Sequence, residues 1–267
     1  MSIAQVGEIQ LDYERTGAGE PLLLIMGMSG TALHWGEPFL TALRESFEVI
    51  TYDHRGVGAS SRLSGAITIA EMAQDAAGLL EALGISSAHV LGISMGGMIA
   101  QELALEHPEL IRTLTIGCSY CGGPGSSHID RVAFAKLSAA MLSGDRQKAI
   151  RAGWEANVSE ARVNDAELYA SFLAIAAERS VAVPVVMAQA QAAAAHDTSA
   201  RLGDITAPTL VIHGTEDQML PVGNGRLIAS LIPGARLEIL DGIGHLFFFE
   251  LPERSADLIR SHALTPA

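Results

Sequence analysis

A serine between two glycines is the strongest chemical signal in this chain. The pentapeptide Gly92-Ile93-Ser94-Met95-Gly96 joins an apolar segment that predicts a β-strand to an apolar segment that predicts an α-helix. On so tight a strand-to-helix turn the Ser94 hydroxyl is pushed outward, and side chains at positions 92 and 96 would collide with neighbouring backbone. The sequence therefore predicts that Ser94 is a nucleophile.

Two further residues are expected to activate this serine, because a serine needs a general base and the base needs an orienting group. His245 is the favoured base, since it lies in a glycine-containing loop directly after the last predicted strand. Asp217 follows the preceding strand and is the favoured acid, with Glu216 and Asp241 as competing carboxylates. In this interpretation Asp217 holds the His245 ring in the correct tautomer without taking the proton itself.

The elements that position these residues alternate between strands and helices. Short apolar runs predict buried strands at 21–26, 48–52, 89–93, 111–117, 209–214 and 235–240. Amphipathic segments separate the runs, which predicts a mostly parallel sheet covered on both faces. The alternating segment 8–15 predicts an antiparallel edge hairpin. A capping-box pattern at 68–71 predicts a helix through residue 83, and further helices are expected from 94 to 107 and from 252 to 262.

The pattern changes to helices alone between residues 122 and 200. Helical spacing predicts helices at 129–142, 146–157, 165–179 and 185–195, after a glycine-rich break at 122–125. A segment of this length is too long for a loop, so we predict a helical cap over the carboxyl ends of the strands, where ligands of open α/β sheets bind. The expected division is a core domain of residues 1–121 and 201–267 and a helical cap of residues 122–200.

Composition narrows the choice of partners. The formal net charge of −13 disfavours nucleic acid and anionic membranes and favours a small neutral substrate. Residues 1–5 lack the basic and apolar regions of a signal peptide, and the sequence has no apolar run as long as a membrane span, so we predict a cytoplasmic protein. Cys118 and Cys121 form a lone C-x-x-C motif without a second ligand pair, which predicts two free thiols and no metal site.

Four motifs in this chain resemble those of the α/β-hydrolase superfamily. They are the serine pentapeptide, the segment 52–60, which is similar to D-x-R-G-x-G-x-S, the segment 213–221, which reads H-G-x-x-D-x-x-x-P, and the segment 242–245, which reads G-x-G-H. Ser94, Asp217 and His245 also follow the family's nucleophile-acid-base order. The resemblance covers nearly all residues outside the predicted cap. It implies a catalytic triad on a mostly parallel eight-stranded sheet flanked by helices, with the cap inserted after the sixth strand.

The same resemblance implies an oxyanion hole made of two backbone N–H groups. One belongs to Met95, the residue after the nucleophile, and the other to the loop after the third strand. That loop usually reads H-G-x in the family but reads Met26-Gly27-Met28 here. Met28 is therefore the expected second donor, and Met26 replaces the usual histidine. The segment with Asp53 and His54 is expected to be structural, with His54 facing solvent or a neighbouring loop.

Candidate substrate contacts are fewer and less specific. Gly27 lies in the oxyanion loop, and Trp35 follows that loop next to His34, where a scaffold aromatic is an equal alternative. Trp154 belongs to the predicted cap, where it would either face the cleft or pack in the cap's own core. Arg151 and Arg162 are candidate cationic anchors should the substrate be an anionic lactone.

The expected chemistry is hydrolysis of a small or medium carboxylic ester or lactone through an acyl-enzyme on Ser94, with no cofactor and no metal. Within the superfamily the chain looks most like 3-oxoadipate enol-lactonases and methylesterase-type hydrolases. Two alternatives stay open: a cofactor-free haloperoxidase or perhydrolase that uses the same triad, and a ligand-binding module on a hydrolase scaffold. The alanine-rich cap is also a candidate surface for a homo-oligomer.

Overall fold

The sheet matches the predicted architecture. The computed structural model of the protein describes residues 2–129, 131–178 and 181–264. Its single sheet has the order β1-β2-β4-β3-β5-β6-β7-β8 and is parallel from β4 to β8, while β1 and β2 pair antiparallel. The strands are β1 (Ser2–Val6), β2 (Ile9–Gly17), β3 (Glu20–Ile25), β4 (Phe47–Tyr52), β5 (Ala88–Ile93), β6 (Ile111–Gly117), β7 (Thr209–Gly214) and β8 (Arg236–Leu240). This arrangement confirms the predicted α/β-hydrolase fold.

The edge hairpin lies slightly earlier in the chain than predicted. It consists of β1 and β2, joined at Gly7, which has a φ of 54°. The segment 8–15 therefore supplies only the second strand. Residues 2–6 are mostly exposed, so their pattern of apolar residues is weaker than that of a strand with one buried face.

Helices follow most of the strands. They are α1 (Glu37–Arg44), α2 (Ile69–Ala82), α3 (Met95–Glu106), α4 (Arg131–Leu142), α5 (Arg146–Asn157), α6 (Ala166–Glu178), α7 (Val183–Ala194), α8 (Gly223–Leu231), α9 (Phe247–Glu250) and α10 (Pro252–Leu264). The predicted capping box of α2 is present, with Thr68 accepting from the Glu71 N–H. The helices α4 to α7 lie between β6 and β7. The predicted helix end at Arg179 and the predicted core boundaries at Met1 and Ala267 lie outside the described residues.

Side chains of the central strands alternate between two apolar cores, as the period of two residues requires. Leu23 and Ile25 of β3 belong to the core that also contains residues of α2, α3 and α8. Leu22 and Leu24 belong to the opposite core, with residues of α1, α9 and α10. The sheet is thus covered on both faces, and its carboxyl edge is left for the loops that follow β3, β5, β6, β7 and β8.

No single helix of the described residues is long and apolar enough to cross a membrane. Only α6 and α7 taken together, at an angle of 109° to each other, reach that length and composition.

Candidate active site

Ser94 occupies the strained turn that the sequence predicts. Its backbone has φ 55° and ψ −121°, between the last residue of β5 and the first of α3. A Cβ on Gly92 would lie 2.1 Å from the carbonyl oxygen of Gly96, and a Cβ on Gly96 would lie 2.0 Å from the carbonyl oxygen of Ile25. Both glycines are therefore required for the approach of α3 to β3 and β5, as predicted.

Neighbouring backbone and side chains hold the Ser94 backbone in this conformation. The Ser94 N–H donates to the carbonyl of Gly117 at the end of β6, at 2.9 Å. The Ser94 carbonyl accepts from the Ser119 hydroxyl at 2.8 Å and from the Gly97 N–H at 2.9 Å. A non-glycine residue at positive φ costs free energy and persists only where its surroundings fix it, which is the situation here.

Asp217 and His245 form a buried pair at the carboxyl ends of β7 and β8. Asp217 Oδ2 lies 2.7 Å from His245 Nδ1, and Asp217 and His245 are 6% and 4% exposed. Asp217 Oδ1 accepts from the N–H groups of Met219 and Leu220, each at 2.9 Å. Because the carboxylate binds Nδ1, the proton-accepting Nε2 of His245 is left for a hydroxyl, which is the arrangement of a general base.

A second buried histidine touches the same carboxylate. His213 Nε2 lies 3.1 Å from Asp217 Oδ2 and 2.7 Å from the Leu220 carbonyl, so this nitrogen carries the hydrogen. Burial by itself would raise the pKa of Asp217, but His245 and His213 outweigh it and hold that pKa well below its usual range. Asp217 is therefore ionised across the neutral pH range.

The competing carboxylates lie elsewhere. Glu216 is exposed and accepts from the Glu160 N–H at 2.8 Å, and Asp241 is exposed and accepts from the Thr215 hydroxyl at 3.3 Å. The structure thus brings Asp217, rather than Glu216 or Asp241, to His245.

Glu250 was not singled out from the sequence, yet it joins the His245 loop to the helices that follow β6. Its Oε1 accepts from the Gly244 N–H at 2.9 Å and from the Ser159 N–H at 3.1 Å, and its Oε2 accepts from the Ser159 hydroxyl. Glu250 is 3% exposed, and burial raises its pKa. Its position after three phenylalanines was the available signal, because a carboxylate inside an apolar run is costly unless it is paired.

The expected oxyanion donors lie beside Ser94. A Cβ on Gly27 would lie 3.2 Å from Ser94 Cβ and 3.7 Å from its Oγ, so the loop after β3 runs directly against the serine. Met95 is the first residue of α3, and the first N–H groups of a helix have no acceptor within it. The structure therefore places Gly27 against Ser94, and Met95 directly follows Ser94 at the start of α3; the catalytic roles of Met28 and Met95 stay predictions.

The segment after β4 contacts this loop at Met26, the residue that replaces the family's histidine. His54 Nε2 lies 2.9 Å from the Met26 carbonyl, and Asp53 Oδ1 accepts from the Ala32 N–H at 2.7 Å. His54 is 2% exposed, so it faces the neighbouring loop, the second of its two predicted positions. Burial lowers the pKa of His54 and keeps it neutral.

The two tryptophans lie in aromatic packing. Trp35 is 1% exposed between Phe39 and Phe248, with ring centroids 5.8 and 4.8 Å away, and lines a cavity of about 380 Å³ whose lining lacks Ser94, Asp217 and His245. Trp154 is completely buried, and its N–H donates to the Val163 carbonyl at 2.9 Å. These positions favour the scaffold and cap-core alternatives over substrate contact.

The two candidate anchors are already paired. Arg151 forms an ion pair with Glu155 at 2.7 Å and lies over the ring of Tyr169, and Arg162 forms an ion pair with Asp165 at 3.0 Å. Their positions favour a structural role.

Cys118 lies closer to the site than the sequence suggested. Both cysteines are buried with free thiols, and Cys118 Sγ lies within 4.8 Å of ligand atoms of Asp217 and His245. Burial, followed by the charge of Asp217, raises the pKa of the Cys118 thiol well above its usual value. The thiol therefore stays protonated and lies beside the Asp217–His245 pair.

The fold and the site define an α/β hydrolase, and the comparisons with known proteins agree. A family model of the alpha/beta hydrolase fold matches residues 20–252. A putative carbamate hydrolase, RutD of Azorhizobium caulinodans, is 34% identical over 95% of this chain and 94% of that protein. The chain belongs to the α/β-hydrolase family and is an enzyme of that family.

Other relatives differ in their described activities. A putative non-heme bromoperoxidase, BpoC of Mycobacterium tuberculosis, is 31% identical over 92% of this chain and 94% of that protein. A solved structure described as an N-acyl homoserine lactone degrading enzyme is 29% identical, with a TM-score of 0.77, over 97% of this chain and 99% of that chain. Structures that share the fold also include esterases and an enol-lactonase. Hydrolase chemistry is therefore supported, while the relatives differ in substrate.

Proposed function

We propose that this protein is a serine hydrolase that cleaves a small or medium carboxylic ester or lactone through an acyl-enzyme on Ser94. The observation that carries the proposal is the buried Asp217–His245 pair, with 2.7 Å between Oδ2 and Nδ1, at the same sheet edge as the strained Ser94 turn. Burying an ionised carboxylate costs free energy, so its presence at this position calls for a role. Orienting the general base His245 is such a role.

The proposed mechanism gives each of these residues a role. His245 Nε2 takes the proton of Ser94 Oγ as the oxygen attacks the substrate carbonyl, and Asp217 stabilises the resulting imidazolium. The N–H groups of Met28 and Met95 donate to the oxyanion. His245 then returns the proton to the leaving alcohol, or to the ring oxygen of a lactone. Water activated by His245 finally hydrolyses the acyl-enzyme and regenerates Ser94.

The named relatives suggest two alternative reactions. The carbamate hydrolase relative supports a carbamate, whose carbonyl would be attacked by the same serine. The bromoperoxidase relative supports a reaction in which peroxide replaces water in the second half of the cycle. Both alternatives keep the roles of Ser94, Asp217 and His245 and differ in the acyl donor or the acceptor.

A kinetic comparison tests the proposal. Wild type and Ser94→Ala are assayed at neutral pH on p-nitrophenyl esters of increasing acyl length, on a matched p-nitrophenyl carbamate, and for peroxide-dependent halogenation. We expect ester turnover in the wild type that falls by a factor of at least about 10⁴ in Ser94→Ala. Faster turnover of the carbamate than of its isosteric ester favours the carbamate alternative. Equal turnover in both proteins contradicts the serine mechanism.

A further inference from the structure

A buried glutamine of α7 reaches the oxyanion loop. Gln189 is 1% exposed, and its Oε1 accepts from the Ser29 N–H at 2.9 Å, across 160 positions of sequence. Val185 lies one turn earlier in α7 and packs against the segment after β4, as shown by the 2.9 Å between its Cγ1 and the position of a Cβ on Gly56. The middle of α7 thus lies over the loops that follow β3 and β4.

The other polar atom of this side chain has no acceptor. Gln189 Nε2 is buried and makes no hydrogen bond to the described residues. A buried amide donor without an acceptor costs about 1–3 kcal/mol, and such groups are rare in folded proteins. The amide cannot simply be reversed, because the Ser29 N–H requires an oxygen opposite it. The unpaired N–H₂ group is therefore held in a fixed orientation.

The position of this donor suggests what it binds. Nε2 shares its carbon with Oε1, which bonds to Ser29, and Ser29 directly follows Met28, the expected oxyanion donor. A substrate oxygen bound by Nε2 would therefore lie beside the loop that carries this expected oxyanion donor. A neutral amide donor suits a neutral acceptor such as a ketone, ether or amide oxygen.

We infer that Gln189 is a specificity-determining residue whose Nε2–H donates to a second oxygen of the substrate, so that the enzyme prefers esters or lactones with a polar oxygen near the scissile carbonyl over purely aliphatic ones. This inference rests on the proposed serine hydrolase function. It deepens that function by naming the substrate class and the residue that selects it.

Isosteric substrate pairs and two variants test the inference. The pairs are p-nitrophenyl levulinate with p-nitrophenyl 4-methylpentanoate, and p-nitrophenyl methoxyacetate with p-nitrophenyl butyrate. Gln189→Glu keeps an oxygen for the Ser29 N–H but replaces the donor by an acceptor, while Gln189→Leu removes both. In the wild type and in both variants we measure kcat and KM for each ester and form the ratio of kcat/KM for the oxygenated ester to kcat/KM for the aliphatic ester.

In both variants we expect this ratio to fall about tenfold relative to the wild type for at least one pair of esters. The fall should come mainly from a higher KM for the oxygenated ester. A purely structural role through Ser29 would instead leave the ratio unchanged in both variants and slow all esters alike in Gln189→Leu. Unchanged ratios with normal wild-type turnover overturn the inference alone. Absence of wild-type turnover on every ester overturns the proposed function and the inference together.

Discussion

The buried carboxylate of Glu250 provides the most specific test of how the fold supports the site. It accepts two backbone N–H groups, from Gly244 and Ser159, and the Ser159 hydroxyl, and it lies five residues after His245. Replacing it by alanine removes all three hydrogen bonds and leaves two buried N–H groups unpaired. Glutamine keeps an oxygen for both N–H groups and donates to the Ser159 hydroxyl, which can rotate to accept.

The two substitutions should therefore differ widely. A buried N–H group left without an acceptor costs about 1–3 kcal/mol, and two are left by this change, so we expect Glu250→Ala to lower the free energy of unfolding by about 3–5 kcal/mol. Glu250→Gln should lose only about 1 kcal/mol. Because Gly244 precedes His245, loss of its hydrogen bond should also displace the imidazole and lower kcat about a hundredfold in the alanine variant.

Urea unfolding followed by circular dichroism, together with kinetics on p-nitrophenyl butyrate, checks both values. Glu253→Ala is the matched control, since Glu253 is exposed at the start of α10. Burial in the folded protein raises the pKa of Glu250 above that of a free glutamate. Above about pH 4.5 the folded protein therefore binds more protons than the unfolded chain. The protonated form of Glu250 contributes stability at low pH, and this contribution is lost as the pH rises through the raised pKa. The Glu250→Gln variant should not show this loss of stability, because glutamine does not titrate. A Glu250→Ala variant as stable and active as the control would refute the reasoning.

Three further predictions follow from the site. Asp217→Asn should lower kcat by about 10⁴. Because folding lowers the pKa of Asp217 below its usual value, the variant should also lose less stability than the wild type in urea unfolding as the pH falls below about 4, and an equal loss in both proteins would contradict this. Gly96→Ala should cost about 2 kcal/mol or more and most activity, whereas Gly223→Ala, into open space, should cost little; equal effects in unfolding and kinetics would contradict the clash with Ile25. His54→Leu should lower kcat about tenfold by releasing the Met26 carbonyl, and an unchanged kcat would exclude this support of the oxyanion loop.

Local chemistry explains why much of the site could be predicted from the sequence. The glycines at 92 and 96 are needed by the turn itself, so their spacing around Ser94 carries structural information before any tertiary contact is known. Asp217 follows the buried strand β7, and His245 follows β8, which is an edge strand and only partly buried, contrary to the buried strand predicted at 235–240. The two strands are parallel, and parallel strands deliver the residues after them to one edge.

Contacts between distant segments could not be predicted in the same way. Glu250 and Ser159 are separated by 91 positions, and Gln189 and Ser29 by 160. Periodicity indicates that a residue is buried but not which group it meets. The same limit applies to Trp154, since an apolar face in a cap helix packs equally well against its own cap or over a cleft, and here it packs in the aromatic core.

The central claim is that Ser94 becomes covalently acylated during turnover. Wild type and Ser94→Ala are mixed with p-nitrophenyl butyrate, quenched in acid within one turnover, and analysed by intact-protein and peptide mass spectrometry. The account predicts a butyryl adduct on the peptide that contains Ser94 in the wild type, and none in the variant. Release of p-nitrophenol by the wild type without any adduct, at a rate that Ser94→Ala retains, would contradict it.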